Sequence, residues 1–492
     1  MLRALDGGMG RVHSGRILSG RILTACFSAA VALAAASGAR ADSLIDTLSQ
    51  AYSYSPQLDA ERARLRATDE DVARANSGYR PDIRASADIG HQHNETRPSS
   101  IANGSTSPKG YAVQLIQPIF RGFQTTNAVN AAEAAVRAGR ETLRNVEQQV
   151  LLDAVTAYGN VVRDQSIVRL RENNLNFLST ELRATRDRFA VGEVTKTDVS
   201  QAEARRALGQ SDLDLARANL NSSRAIYLQV VGTPPSNLHD ANSNSKLLPR
   251  SLDEAVAIGT RENPLVVAAL YAEQGAKYQV DQIRGELLPD AQVEATYSDR
   301  FDSARSIDES ETASIVGRLN VPIYANGGET HARVRQAKHT HLSRIQEIEQ
   351  ARAAAQSQVA QSWAQLVGFK AQLVSDKAQI AANQTALNGV REEEKVGQRT
   401  LIEVLNAQQE LLQAQVQQET TKRNVLVATY SVIAAIGRLS VAEVGAASTV
   451  YDPEIHYQEV RRKWWGIDIT HDDGRQEHMD LWNARVEHEP VK

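Results

Sequence analysis

Two hydrophobic periods alternate along the chain, and each occurs twice. Val161, Val168, Leu175, Leu182 and Phe189 recur every seven residues, and Val359, Leu366, Leu373, Ile380 and Leu387 repeat that spacing further on. A seven-residue apolar repeat gives a helix one seam facing a partner, so both stretches are expected in coiled-coil hairpins. A helix from about Gly122 to Phe189 would reach roughly 100 Å at 1.5 Å per residue. Return helices are expected over Thr197 to Val231 and Leu401 to Ile436. Before each long helix the period falls to two. Ile83, Ala85, Ala87 and Ile89 alternate with polar residues, and Ala291, Val293, Ala295 and Tyr297 do the same with identical parity. After polar loops at His91 to Lys109 and Asp299 to Glu311, second alternating runs follow at Tyr111, Val113, Leu115 and at Ile315, Leu319, Val321. Alternation of this kind predicts strands with one apolar face.

The order of elements is duplicated. Ser43-Leu44, Pro56 and Pro81-Asp82 recur as Ser251-Leu252, Pro264 and Pro289-Asp290 at a constant offset of 208. Arg186, Val191-Gly192, Thr195, Asp198-Val199 and Ala202 recur as Arg391, Val396-Gly397, Thr400, Glu403-Val404 and Ala407 at an offset of 205. Pro118-Ile119-Phe120 likewise matches Pro322-Ile323-Tyr324. The expected organisation is a signal segment over 1–41, a first repeat over 42–232 and a Pro/Asn/Ser-rich linker over 233–250. The second repeat covers 251–440, and a polar tail 441–492. Within the repeats the strands are expected over about 80–118 and 288–323, and the helical hairpins over about 122–231 and 328–437. Four strands per chain are too few to close a barrel, and two isolated hairpins are marginal in water, so the strands require partners from other subunits.

Composition narrows the setting. Arg11, Arg16 and Arg21 precede an apolar run from Ile22 to Ala36, and Ala39-Arg40-Ala41 supplies a small-x-small site for cleavage between Ala41 and Asp42, the marks of an export signal. Cys26 follows a Leu-Thr-Ala triplet that resembles a lipidation box, but almost no apolar run precedes it, which favours ordinary cleavage. The whole chain has a formal net charge of -4, and the first 41 residues carry five Arg and one Asp, so removing their +4 leaves -8. An acidic chain lacks the basic excess of a nucleic-acid binder. After residue 41 no run approaches the roughly 18 apolar residues of a membrane-spanning helix, which leaves a periplasmic, secreted or outer-membrane β-barrel protein.

Chemistry-bearing motifs are sparse. There is no phosphate loop, nucleophile elbow or His-Glu-x-x-His pair, so neither an enzyme nor a cofactor is expected. His91 and His93 form one candidate metal pair; His339 and His341 form another but point to different helix faces. His471, Asp472, Asp473 and His478 fall in a polar tail expected to be solvated rather than metal-binding. Three of the four Trp, Trp464, Trp465 and Trp482, also lie in the tail and are expected to pin it outside the long helices near their middle; an interfacial membrane belt is the rival reading, disfavoured because the tail lies far along the chain from the strands.

Taken together, these residues resemble the TolC-type outer-membrane channel family, in particular its type I secretion branch. The resemblance covers roughly Ser43 to Ser440. It rests on the duplicated helix-strand-strand-helix order, on Leu115-Ile116-Gln117-Pro118-Ile119-Phe120, and on the two hairpin turns around Gly192 and Gly397. It implies a homotrimer in which three chains of four strands make a twelve-stranded barrel in outer-membrane lipid, continued by a helical tunnel across the periplasm of a Gram-negative bacterium. It also implies a periplasmic adaptor (membrane fusion) protein and an inner-membrane ABC or RND pump as partners. The turns would then carry a gate. Thr197 and Asp198 fall on first-turn gate positions, Arg399 on an arginine that bonds across to that aspartate, and Glu403 and Asn406 where two acids line the narrowest ring. Two positions depart from the pattern: Glu394 replaces a gate tyrosine and Asn406 the second acid. Two functions stay open at this point, a passive exit duct for efflux or protein secretion and a periplasmic coiled-coil scaffold or adhesin. At the turns, charges that are merely solvated are the alternative to a gate.

Overall fold

The computed structural model describes residues 43–98, 103–236, 238–241, 247–446 and 449–470. The signal segment with Cys26, the cleavage site at Ala41 and Asp42, the tail acids and histidines from His471 on, and Trp482 lie outside the described residues.

Each half opens with two short helices. Helix α1 (Leu44–Tyr54) and α2 (Pro56–Asn76) in the first half correspond to α5 (Leu252–Glu262) and α6 (Pro264–Gly285) in the second. The duplicated residues explain the boundaries. Ser43 and Ser251 cap α1 and α5 by accepting from the backbone of Asp46 and Glu254, while Pro56 and Pro264 stand first in the following helices, where no amide hydrogen is needed.

Strands β1 (Asp82–Ile89) and β4 (Lys109–Arg121) from the first half and β5 (Asp290–Ala304) and β6 (Ile307–Asn320) from the second form one antiparallel sheet in the order β1-β4-β5-β6. Its register sorts the side chains. Ile83, Leu115, Ala295 and Ile315 share one cross-strand row, and Ala85, Val113, Tyr297 and Ala313 another row on the same face. The opposite face carries Arg84, Gln114, Thr296 and Ser314 beside Glu294, which accepts from Gln114 and, at 2.8 Å, from Arg318. One face of the sheet is therefore apolar and the other polar.

The expected loops are shorter than the polar composition implies. Residues 299–304 and 307–311 continue the β5–β6 ladder, pairing Asp299 with Glu311 and Arg300 with Ser310, and only a tight turn at Arg305 and Ser306 separates the strands. A ladder is held by main-chain hydrogen bonds, and side chains that are polar on both faces leave no period-two signal. The first loop likewise contains a small hairpin, β2 (Gln92–Asn94) with β3 (Gly104–Thr106). Strand β4 extends past Pro118 through a bulge before Phe120.

The two long helices, α3 (Gln124–Ala190) and α7 (Glu329–Lys395), have 67 residues each, and α4 (Lys196–Val231) and α8 (Leu401–Ala435) return along them. In the seam Val161, Leu182, Val359, Leu366 and Leu387 are buried, Val168, Leu175, Leu373 and Ile380 half-buried, and Phe189 exposed at the tip. Side by side the helices run α4-α3-α8-α7, with α2 and α6 laid on α3 and α5 and α6 on α7. The main core lies where α1 meets α3, α4 and α8: Leu48, Leu151, Val155, Tyr158, Tyr227, Tyr430 and Ile433 pack there, and the Thr47 and Tyr227 hydroxyls are 3.0 Å apart.

The tail does not stop at the middle of the helical layer. A short turn, α9 (Val441–Val444), leads to α10 (Pro453–Arg461), which lies on α2 and carries the chain toward the strands. Trp464 ends against Arg80, two residues before β1, with the guanidinium 5.0 Å over its ring. The separation of Trp464 from the strands along the chain concealed their proximity in the fold.

Candidate channel gate at the hairpin turns

Both long helices end in the same turn. After α3, Gly192 takes a left-handed φ of 81° and its amide donates to Phe189 O at 3.0 Å; after α7, Gly397 takes 77° and donates to Glu394 O at 2.9 Å. A Cβ at either glycine would meet nothing within 4 Å. Space does not explain these glycines, so the left-handed backbone does.

The return helices start alike. Thr195 and Thr400 are N-caps, and the acid three residues on, Asp198 or Glu403, reaches back to the cap. Thr195 donates to Asp198 Oδ2 through its amide at 2.9 Å and its hydroxyl at 2.7 Å; Thr400 donates to Glu403 Oε2 at 2.9 and 3.1 Å. These reciprocal bonds satisfy amide groups that a helix N-terminus leaves open. The two acids noticed by the 205-residue offset thus hold the ends of α4 and α8. Thr197 sits exposed between cap and acid.

The second turn adds charge pairing. Arg399 donates from Nε to Glu393 Oε2 at 2.8 Å and from Nη1 to Glu403 Oε1 at 3.0 Å. Bonding to Glu393 and then Glu403 raises the Arg399 pKa, whereas the Thr400 amide first and Arg399 second hold the Glu403 carboxyl below its usual range.

Within the chain, Arg399 therefore serves acids of its own turn, and other residues cross between the hairpins. Arg188 of α3 donates to Glu394 Oε1 at 2.6 Å, and this bond raises the Arg188 pKa. Arg205 of α4 donates to Asn406 Oδ1 of α8 at 2.6 Å. Gln408 donates to Asn174 at 3.4 Å, and Arg391 lies 4.8 Å over the Phe177 ring. Glu394 and Asn406, the two departures from the family pattern, are thus the acceptors of the two shortest of these cross-hairpin bonds, both from arginines. Sequence reading missed Arg188 and Arg205, although Arg188 stands directly before the last seam position, Phe189, where a long side chain can reach around the seam. Beneath these bonds Leu387, Val404 and Leu411 pack with Phe177, Ile380 and Ala407.

The metal candidates engage ordinary partners. His91 and His93 face Ser107 and Ser105, at 3.5 and 3.0 Å, and His341 lies 2.5 Å from Glu273. Among the described residues no group of three or more His, Cys, Asp or Glu side chains is arranged to hold a metal, and no helix is long and apolar enough to cross a membrane.

Comparison with known proteins agrees with this architecture. The family model described as outer membrane efflux protein matches residues 47–233 and 260–438. Outer membrane efflux protein BepC of Brucella suis is 38% identical over 439 residues, covering 89% of this chain and 94% of that protein. Outer membrane protein TolC of Escherichia coli is 24% identical over 415 residues, covering 82% of this chain and 83% of that protein. Among solved structures, the Campylobacter jejuni CmeC outer membrane channel superposes with a TM-score of 0.72 at 15% identity, covering 85% of this chain and 89% of that one. With a duplicated fold, a two-faced sheet and paired helical turns all in place, the chain belongs to the outer membrane efflux protein family.

Proposed function

We propose that three copies of this chain form a channel whose sheet lies in the outer membrane and whose helices form a tunnel across the periplasm. The channel is the passive exit duct of a tripartite export system, serving efflux or type I secretion. An inner-membrane ABC or RND pump supplies the energy and a periplasmic adaptor bridges pump and duct.

The observation that carries this reading is that both layers of the protomer are open on both sides. Among the described residues strands β1 and β6 have no outer neighbour in the sheet, and α4 and α7 are the outer members of the helical row. An unpaired strand edge in lipid leaves main-chain groups unsatisfied, so a membrane sheet must close. The open helical edges carry apolar side chains at matching heights. Leu215, 62% exposed, lies 19 residues after the start of α4, and Val374, 70% exposed, lies 21 residues before the end of α7. Joining α4 of one copy to α7 of the next covers both while β6 meets β1 above them.

The turns then form the narrow end. Asp198, Thr197, Arg399, Glu403 and Asn406 line it, and a ring of acids there favours cations. The division at 233–250 separates two repeats that each contribute two strands to the barrel sheet and one long helical hairpin to the tunnel. Mass measurement of the mature protein in detergent, followed by conductance in a planar bilayer, tests the reading; a stable monomer, or a trimer that does not conduct, would refute it.

A further inference from the structure

The segment after α10 carries a surface that neither the gate nor the seam uses. Its course is monotonic: the Tyr451 amide donates to the Tyr52 hydroxyl at 3.1 Å, His456 lies 2.9 Å from Asp69, and Arg80 donates to the Trp464 carbonyl at 3.3 Å. As the tail advances from 451 to 464 its partners advance from 52 to 80, along α2 to the foot of β1. The helix is firmly held there, since the Tyr457 hydroxyl donates to Glu133 at 3.2 Å and Arg140 to Glu454 at 2.7 Å.

Beyond it the chain makes a short loop closed by Lys463 donating to the Asp468 carbonyl and by Thr470 donating to Glu459 at 2.9 Å. This fixed loop nevertheless presents Trp464 and Trp465 at 69% and 90% exposure, followed by exposed Ile467 and Ile469. Solvent-facing indoles on an anchored loop are costly in water, and a contiguous apolar patch marks a contact surface. The neighbours show what kind. At the foot of the strands Tyr79, Ile119 and Phe123 are also exposed, so the loop extends an aromatic rim already present at the end of the sheet. Directly before the indoles stand Arg461, Arg462 and Lys463, and Arg462 is exposed. Indoles prefer the boundary between acyl chains and headgroups, and adjacent cations are drawn to phosphate-bearing lipid.

We propose that residues 461–469 form an interfacial foot resting on the periplasmic leaflet of the outer membrane. Trp464 and Trp465 enter the headgroup boundary, and Arg462 faces lipid phosphate. The foot rests on the reading of the sheet as membrane-spanning, and it ties the tail, which has no copy in the first half, to the same plane as the barrel rim.

The test uses the full mature chain with Trp363→Phe and Trp482→Phe, so that only Trp464 and Trp465 emit. It is reconstituted in vesicles of phosphatidylcholine and phosphatidylglycerol, with plain acyl chains or with chains brominated near the glycerol end. Emission should fall by more than half in the brominated vesicles. Trypsin cleavage at Arg461 to Lys463 should be slower in vesicles than in detergent, and the Trp464→Ala/Trp465→Ala double variant should lose that protection. Blue-shifted emission that bromine leaves unchanged would place the indoles against another copy of the chain, and red-shifted unquenched emission would leave them in water; either overturns the foot while the channel reading stands. A chain that conducts in neither vesicle set nor co-floats with them removes both.

Discussion

Helices α3 and α7 arose from one duplicated sequence, have 67 residues each and end in matching turns, yet 19 residues of α3 are buried and only 8 of α7. The difference is one of position. Helix α3 lies between α4 and α8 with α2 and α6 on its flank, while α7 is the last member of the row. An open row cannot make both copies central, and closure into the proposed trimer would give α7 the second neighbour that α3 already has. The sheet repeats the lesson: β4 and β5 are paired on both sides, and β1 and β6 on one.

Substitutions on buried and open faces should therefore separate two kinds of failure. The largest effect is expected at Leu366, which is 2% exposed and packs with Ala428 and Val432. Leu366→Asp buries an unpaired charge inside the protomer and should cost about 3–5 kcal/mol. Loss of helical circular dichroism at a lower temperature than in the unmodified protein is the expected reading, and an unchanged melt would show that α7 and α8 do not depend on this contact. Val374→Asp, only eight residues away, should leave the helices of the isolated chain intact and instead lower the mass in detergent from trimer to monomer. If Val374→Asp melts the protomer as Leu366→Asp does, α7 is not an edge. Leu175→Asp and Ile380→Asp, at half-buried seam positions equivalent by the 205-residue offset, should fall between these two.

The same contrast explains what the sequence revealed. Heptads and alternating strands are local properties, so Val161 to Phe189 and Ile83 to Ile89 announce themselves. The 205-residue offset pairs Asp198 with Glu403, and each stands three residues after an N-cap threonine and reaches back to it. What escaped is non-local. Nothing in either copy says which long helix is central, because that depends on the neighbours each meets. Arg188 reaching Glu394 and Trp464 reaching Arg80 join residues far apart in the chain, and the polar ladder at Asp299 and Glu311 is held by main-chain bonds that side-chain patterning cannot register.

Smaller effects are expected at the turns. Gly192→Ala and Gly397→Ala each force a left-handed backbone on a residue with a Cβ and should each cost about 1–2 kcal/mol. Because both glycines face open space, the two costs should match; unequal melting shifts would mean that the turns are not equivalent in the assembled protein.

The smallest change in stability, and the most informative, belongs to the charges that make the second turn unlike the first. Arg399 holds Glu393 and Glu403 together, while Asp198 at the equivalent position of the first turn is held by Thr195. Arg399→Ser should leave the trimer intact and raise single-channel conductance, because the two released acids repel and spread the turn; Asp198→Ala should also raise it, by loosening the cap of α4. Glu403→Gln keeps a side chain that can still accept from the Thr400 amide, so its main effect should be weaker cation preference. The pH response supplies an independent reading. The Glu403 carboxyl is held below its usual range, so its contribution is present at neutral pH and is lost as the pH falls through its lowered folded-state value. Acid should therefore weaken the cation preference of the unmodified channel, and Glu403→Gln should blunt that response. A channel whose conductance, selectivity and acid response survive all three substitutions has its constriction elsewhere, and the paired acids then do no more than cap α4 and α8.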